Sequence, residues 1–462
     1  MRFFSGIGKI FKSLLPAPFT IAVVLTIATF LLALFLTTSE VTGFDRVVEL
    51  MGFWEEGLWN PPLLVFAVQM MLMLVLGHVL ALTKPVDTFI GYVTRFCTTT
   101  ANAAAIVTVL TICVALFNWG LGLVFGAILA RKVGEHAAGN NLQLNYPLIG
   151  AAGYSGLMVW HGGLSGSAPL KVAEEGHISS LMGNILSPEQ LAQIPDPILP
   201  SETLFGSMNL VAILLVILVL PAFMYFMGKR SKVVSILPEI REEKEEVPES
   251  ARGVERLDGS RIFALSIGLI ITSYAAYTAV IAYETRGLGF INPNFINLTL
   301  FGLCLSMHRS IFNFLKAIDK AIGGASGILI QFPLYFGIMG IMSSSGLVQV
   351  FSDFFVSISN ETTFPIFTFM SAGIVNVFVP SGGGQWGVQG PIILQAALEL
   401  GVSAPKAVMA LAYGDQLTNM LQPFWALPLL GITGLKAKAI LPYTVALMGV
   451  GILLFVSVLF LF

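Results

Sequence analysis

Apolar runs of about 17 to 25 residues recur along this chain from end to end, and each is long enough, as a helix, to cross a hydrocarbon layer of roughly 30 Å. Nothing else in the sequence narrows the fold so far. Inside lipid a backbone N–H or C=O finds no water, so repeated runs of this kind must be helical. They lie near 18-36, 61-82, 98-117, 119-130, 146-170, 203-228, 262-283, 293-306, 322-342, 364-380, 384-399, 406-430 and 438-461. Little chain remains for a soluble domain. The composition agrees: of 462 residues, 56% are hydrophobic and 11% are charged, against roughly 25% charged in a soluble domain.

The net charge of -2 includes no basic stretch without matching acid, which excludes a nucleic-acid surface. Cys97, Cys113 and Cys304 sit in or beside apolar runs without metal or redox spacing, so they read as packing residues. Arg2, Lys9 and Lys12 precede the run Phe19 to Leu36. That run is long for the core of a signal peptide and no small-residue cleavage pattern follows, so it reads as an uncleaved first span. Residues 1-15 alternate Phe and Ile with Lys and Arg, as an amphipathic helix on the inner membrane surface does. With the N-terminus in the cytoplasm, 20 of the 24 Lys and Arg fall inside; Arg46, Lys171, Arg286 and Lys406 fall outside. Short cytoplasmic loops collect such residues, so a multi-pass protein embedded in the lipid bilayer of the cytoplasmic membrane is expected.

A weak internal repeat organises the chain. Residues 86-100, 117-129 and 152-170 parallel 350-363, 378-394 and 412-429 in the same order: an amphipathic stretch ending in a Thr pair, a Gly and Trp break between apolar arms, then an interrupted span. The charge count makes the two copies enter from opposite sides. The expected fold is therefore all-α, with two inverted-topology repeats, each holding a re-entrant helical hairpin and a broken transmembrane helix. The first repeat occupies 1-228 and the second 284-462. Between them lie a mixed-charge cytoplasmic linker, 229-261, and a connecting helix, 262-283. Inverted repeats with interrupted helices point to a secondary transporter and to its site. Ordinary loops between spanning pairs are the alternative to hairpins.

The candidate site follows from the breaks. The first tip is Asn118, Trp119 and Gly120; the second is Ser381, Gly382, Gly383, Gly384 and Gln385. Such polar, side-chain-poor backbone is tolerable at depth only beside a watery cavity, where its amides can approach an anion. His161, Gly162, Gly163, Ser165 and Ser167 interrupt the fifth apolar run ahead of Pro169. The counterpart is broken around Asp415 to Pro428, including Thr418, Asn419 and Gln422. Half-helix N-termini carry free N–H groups and a positive dipole end suited to a carboxylate.

Asp415 is the one acidic residue expected deep inside a span, and an intramembrane carboxylate reads as functional because burying its charge is costly. With Thr418 and Asn419 one turn on, it could hold a sodium ion through oxygen ligands, carry a proton, or make a structural hydrogen bond. His78 and His161 rank below it. The spans hold no deep Arg or Lys to pair with a second carboxylate, which favours a monocarboxylate. Trp119, Trp386, Phe424 and Trp425 could cover a short alkyl tail, contributing about 2 to 3 kcal/mol for three carbons.

The stretches PSGGGQWGVQGP (380-391) and YGDQLTNMLQPFWALPLLGITGLKAK (413-438), together with TTTANAA (98-104) and HGG (161-163), resemble the bacterial short-chain fatty acid transporter family over essentially the whole chain. The resemblance implies uptake of acetoacetate- or butyrate-like monocarboxylates at a bacterial inner membrane. The hairpin plan is similar to a wider ion-transporter superfamily that includes dicarboxylate and aminobenzoyl-glutamate carriers. That group implies only that tips and breaks line the site. Cation-coupled symport by alternating access is the expected function, with sodium or protons as coupling ion and no other cofactor; another small carboxylate, such as a dicarboxylate, is the alternative. Monomer and homodimer both stay open. The run Gly163-Leu164-Ser165-Gly166 also fits a GxSG nucleophile pattern, which would make Ser165 the nucleophile of an intramembrane protease if a His lay within hydrogen-bond reach. No GxxxxGK[ST] signature is present, so direct ATP drive within this chain is not expected.

Overall fold

Asparagine and proline set several of the helix boundaries. In the computed structural model, which describes residues 18–182, 186–234, 255–286, 290 and 293–462, Asn60 caps a helix that opens Pro61-Pro62. Asn145 does the same for one with Pro147 in its first turn. Each side-chain oxygen takes an N–H that the first helical turn leaves free, and proline costs nothing where no N–H is needed.

The first half runs α1 (Pro18–Leu36), α2 (Phe44–Leu58), α3 (Pro61–Ala81), α4 (Lys84–Thr94), α5 (Thr100–Phe117) and α6 (Trp119–Gly139). It continues with α7 (Tyr146–Tyr154), two single 3-10 turns, α8 (Ser167–Lys171), α9 (His177–Met182), α10 (Pro188–Leu191) and α11 (Ser207–Arg230). The second half runs α12 (Glu255–Gly259), α13 (Arg261–Arg286), α14 (Pro293–Met307), α15 (Ile311–Ala321), α16 (Ser326–Ser344), α17 (Leu347–Ser357), α18 (Phe364–Phe378) and α19 (Gly382–Glu399). It ends with α20 (Ala404–Thr418), a 3-10 turn, α21 (Pro423–Thr433) and α22 (Ala437–Leu461). The described residues contain no strand, only one isolated bridge between Asn145 and Val234.

The order of elements repeats. A long helix (α3, α16) precedes an eleven-residue amphipathic one (α4, α17). A helical pair follows (α5 with α6, α18 with α19), then a broken segment (α7 with α8, α20 with α21) and a long final helix (α11, α22). The all-α expectation holds. Seven helices among the described residues are long and apolar enough to cross a membrane. Half of the apolar window is buried in α3 and in α5 but only 17% in α1 and α13. The first two therefore belong to the packed interior, and the last two turn most of their apolar surface outward, as lipid-facing helices do.

Two differences from the sequence reading concern boundaries. Helix α2, whose residues carry Asp45, Arg46, Glu49, Glu55 and Glu56, has no continuous apolar run, yet it lies on α16. There a Cβ on Gly57 would fall 2.3 Å from the carbonyl oxygen of Phe336, so the glycine is what allows the two backbones to touch. The first break also begins at Ser155 rather than at His161, with 3-10 turns at Ser155–Met158 and Trp160–Gly162. The amphipathic segment 1-15 and most of the linker 229-261 lie outside the described residues.

Candidate functional site

The two breaks meet, and a buried His and Asp join them. His161 Nδ1 forms a short contact with Asp415 Oδ2 across 254 residues of sequence; their side chains are 0% and 1% exposed. Gln416 reaches back from α20, its Oε1 accepting from the N–H groups of His161 (2.9 Å) and Gly162 (3.2 Å). Backbone donors freed by one broken helix are thereby satisfied by a side chain of the other. Tyr154 at the end of α7 donates its hydroxyl to the carbonyls of Asn419 (2.9 Å) and Gln422 (3.2 Å). Asn419 Nδ2 donates to Leu157 O at 3.2 Å.

Each helical pair places its turn against this junction. Asn118 ends α5 and caps α6, its Oδ1 accepting from Leu121 N at 3.0 Å. Ser165 Oγ accepts the N–H of Trp119 at 2.9 Å, and Leu164 N donates to Leu116 O at 2.7 Å. Gly163 lies so close to Leu116 that a Cβ would meet its carbonyl at 2.4 Å. The first tip is thus strapped to the first break. Gly120 packs on Met73, and the half-buried Trp119 ring stands 6.0 Å from Trp160 and 5.2 Å from Trp425, centre to centre. Gly162 contacts Asn209 of α11, whose amide donates to Gly162 O (2.8 Å) and Leu204 O (2.7 Å) and whose Oδ1 accepts from Tyr413 OH.

At the second tip Ser381 Oγ caps α19 by accepting from Gly384 N at 3.2 Å. A Cβ built on Gly382 would sit 2.7 Å from Trp160, 3.0 Å from His161 Cε1 and 3.1 Å from Asp415 Oδ2. Next to it, Gly383 is exposed, and a Cβ there would meet nothing within 4 Å. The second tip therefore presents bare backbone to open space immediately beside the His161–Asp415 pair. Gln385 does not share in this: its amide turns into the helical pair, donating to Ala372 O and Gln389 Oε1, both at 2.8 Å.

Thr418 and Asn419 converge on Asn376 of α18, a residue the sequence reading missed. Asn376 Nδ2 stands 2.6 Å from Asp415 O, 2.9 Å from Thr418 Oγ1 and 2.9 Å from Asn419 Oδ1, while Gln422 Nε2 donates to Asn376 O. Asn376 Oδ1 and Gln422 Oε1 are buried without a protein hydrogen-bond partner. The only cue to Asn376 in the sequence is one amide in the apolar run 364-378. Trp160, stacked on His161 at 4.5 Å, and Tyr154 gave none, since an aromatic in an apolar run reads as packing. Ser167 opens α8, and His78 stays within α3.

A nucleophilic Ser–His pair is not assembled. His161 commits Nδ1 to Asp415 and Nε2 to the N–H of Ala168 (2.9 Å), and Ser165 is engaged by Trp119. Among the described residues no group of three or more His, Cys, Asp or Glu is placed to hold a metal ion.

The polar segment between α8 and α11 covers α19. His177 Nε2 accepts from Trp386 Nε1 at 3.0 Å, and Ile178, Met182, Ile194 and Ile198 pack with Trp386 and Ile393. Asp196 ties the segment to itself through Gly176 N (3.1 Å) and Ser179 N (2.9 Å). Burial, followed by the charge of Lys171, holds the His177 imidazole below its usual value.

Comparison with known proteins adds a family. The family profile described as Short chain fatty acid transporter matches residues 2–462. A protein of Escherichia coli K12, provisionally named as a short-chain fatty acid transporter, is 37% identical over 440 residues, covering 93% of this chain and 92% of its own. One of Haemophilus influenzae Rd with the same provisional name is 35% identical over 436 residues, with the same coverage of 93% and 92%. Among solved structures, the YdaH transporter of Alcanivorax borkumensis aligns over 96% of this chain and 98% of its own, at 12% identity and a TM-score of 0.44. MtrF of Neisseria gonorrhoeae, from a class of antimetabolite efflux pumps, aligns over 97% of both chains at 13% and 0.38. Both structural likenesses are too loose to carry an argument.

Proposed function

Because the chain belongs to the short chain fatty acid transporter family, we propose that it is a secondary carrier of short-chain monocarboxylates such as butyrate and acetoacetate. It moves them through the bacterial inner membrane with a coupling cation, by alternating access between two inverted repeats. The observation that carries this reading is the tip at Gly382 and Gly383: bare backbone at the N-terminus of the 18-residue α19, open on one side and touching His161 and Asp415 on the other. Amides at such an end suit a carboxylate, and Asp415 beside them suits the cation, a proton or a sodium ion. Trp119, Trp160 and Trp425 form an apolar wall nearby for the alkyl tail.

The residue types also support one carboxylate rather than two. No Lys or Arg occurs in 116–123, 155–168, 379–390 or 412–428, so a second carboxylate would enter without a counter-charge, at a cost of several kcal/mol. The helical pairs α5–α6 and α18–α19 act as re-entrant hairpins, and the junction of tips and breaks is the pivot about which the repeats rock. The test is uptake of labelled butyrate and acetoacetate into proteoliposomes under separately imposed proton and sodium gradients. Uptake no greater than in protein-free liposomes would refute the proposal.

A further inference from the structure

The hydrogen bonds around His161 limit the protons that its ring can hold. The N–H of Ala168 donates to His161 Nε2 at 2.9 Å, and a nitrogen that accepts an N–H uses its lone pair and carries no proton. The ring therefore holds at most one proton, on Nδ1, in the short contact with Asp415 Oδ2. Wherever that proton sits along the contact, imidazole and carboxylate together sum to one negative charge so long as the other oxygen of Asp415 carries no proton. A second proton on Nε2 would break the bond to Ala168.

Among the described residues nothing nearby balances that charge. Among the described residues His161 is the only ion-pair partner of Asp415. The groups packed round the pair are uncharged: the Trp160 ring and the Gly382 backbone. Gln416 serves the backbone of His161 and Gly162. On the elements that supply the pair, Tyr413 donates its hydroxyl to Asn209 and Lys171 is bound to Glu174 at 3.0 Å, while Lys406 is in the first turn of α20, more than two turns before Asp415. On α19, Glu399 closes the helix at the end remote from Gly382 and accepts from Gln395. An isolated charge buried to this degree is costly unless something of opposite sign joins it.

We propose that the His161–Asp415 pair is a binding site for one monovalent cation, so that each monocarboxylate crosses with one charge of opposite sign and the cargo carries no net charge. The inference rests on the carrier reading above and adds its stoichiometry. A proton would go to the second carboxylate oxygen of Asp415; a sodium ion would lie against the carboxylate. Either source leaves the same charge. Because Gly382 touches both members of the pair, a carboxylate arriving at the tip meets the negative charge directly, and the cation binds first.

The experiment uses the full chain in liposomes, labelled acetoacetate, and a potassium diffusion potential set with valinomycin. Accumulation is read in sodium-free buffer under a proton gradient and at equal pH under a sodium gradient, with protein-free liposomes giving the background of undissociated acid. Accumulation should follow one of these gradients with unit slope and change less than about twofold for an inside-negative potential of 100 mV; one charge moved uncompensated would instead give about 50-fold. Asp415→Asn removes the charge while keeping the shape, so the substrate anion then moves alone and the same potential opposes its accumulation. Wild-type uptake driven by the inside-negative potential would mean two or more cations and overturn the proposal; uptake opposed by it would mean none and would overturn it equally. The wild-type arm decides even if the variant fails to fold. No transport of either acid under any gradient overturns the carrier reading itself, which is a different result.

Discussion

Alanine at two adjacent glycines should separate packing from substrate access at the second tip. At Gly382 the new methyl would lie 2.7 Å from the Trp160 ring, 3.0 Å from His161 Cε1 and 3.1 Å from Asp415 Oδ2. All three neighbours are buried, so none can swing away into solvent. Overpacking of this kind costs about 1 to 3 kcal/mol, offset by up to about 1 kcal/mol from replacing Gly by Ala in a helix. The net, about 0 to 3 kcal/mol of stability, falls on the site, because Trp160, which stacks on His161, must shift and the His161–Asp415 pair must give by a few tenths of an ångström. We expect Gly382→Ala to lose at least tenfold in initial uptake rate. At Gly383 the methyl meets nothing within 4 Å, so the helix gain is unopposed and the protein should melt slightly higher. The methyl nevertheless occupies the space through which a carboxylate would reach the tip amides, so KM should rise several-fold. The assay is initial uptake against substrate concentration in proteoliposomes, paired with thermal unfolding in detergent. Full transport by Gly382→Ala would refute the contact with the pair. A wild-type KM in Gly383→Ala would refute the tip as the face that meets substrate.

Ser165→Ala leaves the Trp119 N–H without its acceptor, which should cost about 1 to 3 kcal/mol in detergent unfolding, and Ser165→Thr should restore most of it; equal melting of all three proteins would contradict the tie between tip and break. Asn376→Asp preserves shape but sets an acceptor against Asp415 O, Thr418 Oγ1 and Asn419 Oδ1, so it should destabilise at least as much as Asn376→Ala; a gain of stability with added sodium would instead identify a cation position among those oxygens. His177 accepts from Trp386 only in its neutral form, and its lowered value means that this contribution is complete above about pH 6.5, the unfolded value, and is lost as pH falls toward the folded value. Hydrogen-exchange protection across 172–182, taken relative to the intrinsic amide rate at each pH, should therefore fall on acidification, and His177→Gln should flatten that dependence.

What the sequence made legible was whatever rests on one segment at a time. Long apolar runs announced α1, α3, α5, α11, α13 and α22, and the Gly and Pro clusters at 161-169 and 381-391 announced interruption and turning. Helix α2 escaped because its five charged residues break any apolar run, although a single face packs on α16. The early onset of the first break escaped for a different reason. GYSGLMVW at 153-160 reads as continuous span, and the chain can leave the α-helix there partly because Gln416, 255 residues away, satisfies the N–H of His161. His161 ranked below Asp415 for the same reason: its partner is on the other half of the chain. The sequence could nominate Asp415 by its charge. It could not show that the counterpart was an imidazole held in one tautomer by Ala168.

Asn118 closes α5 and opens α6 with no residue between them. Since successive residues of an α-helix are turned by about 100°, one residue gained or lost there would rotate the whole of α6 and carry Gly126 off its seat on Gly153, where a Cβ would already meet the carbonyl at 2.1 Å. The joint therefore has no length tolerance at all. Among relatives of this chain, substitutions can accumulate around it, but insertions and deletions should be confined to other connections, and any variant that must fit a thicker or thinner bilayer has to make the adjustment in helices other than this pair.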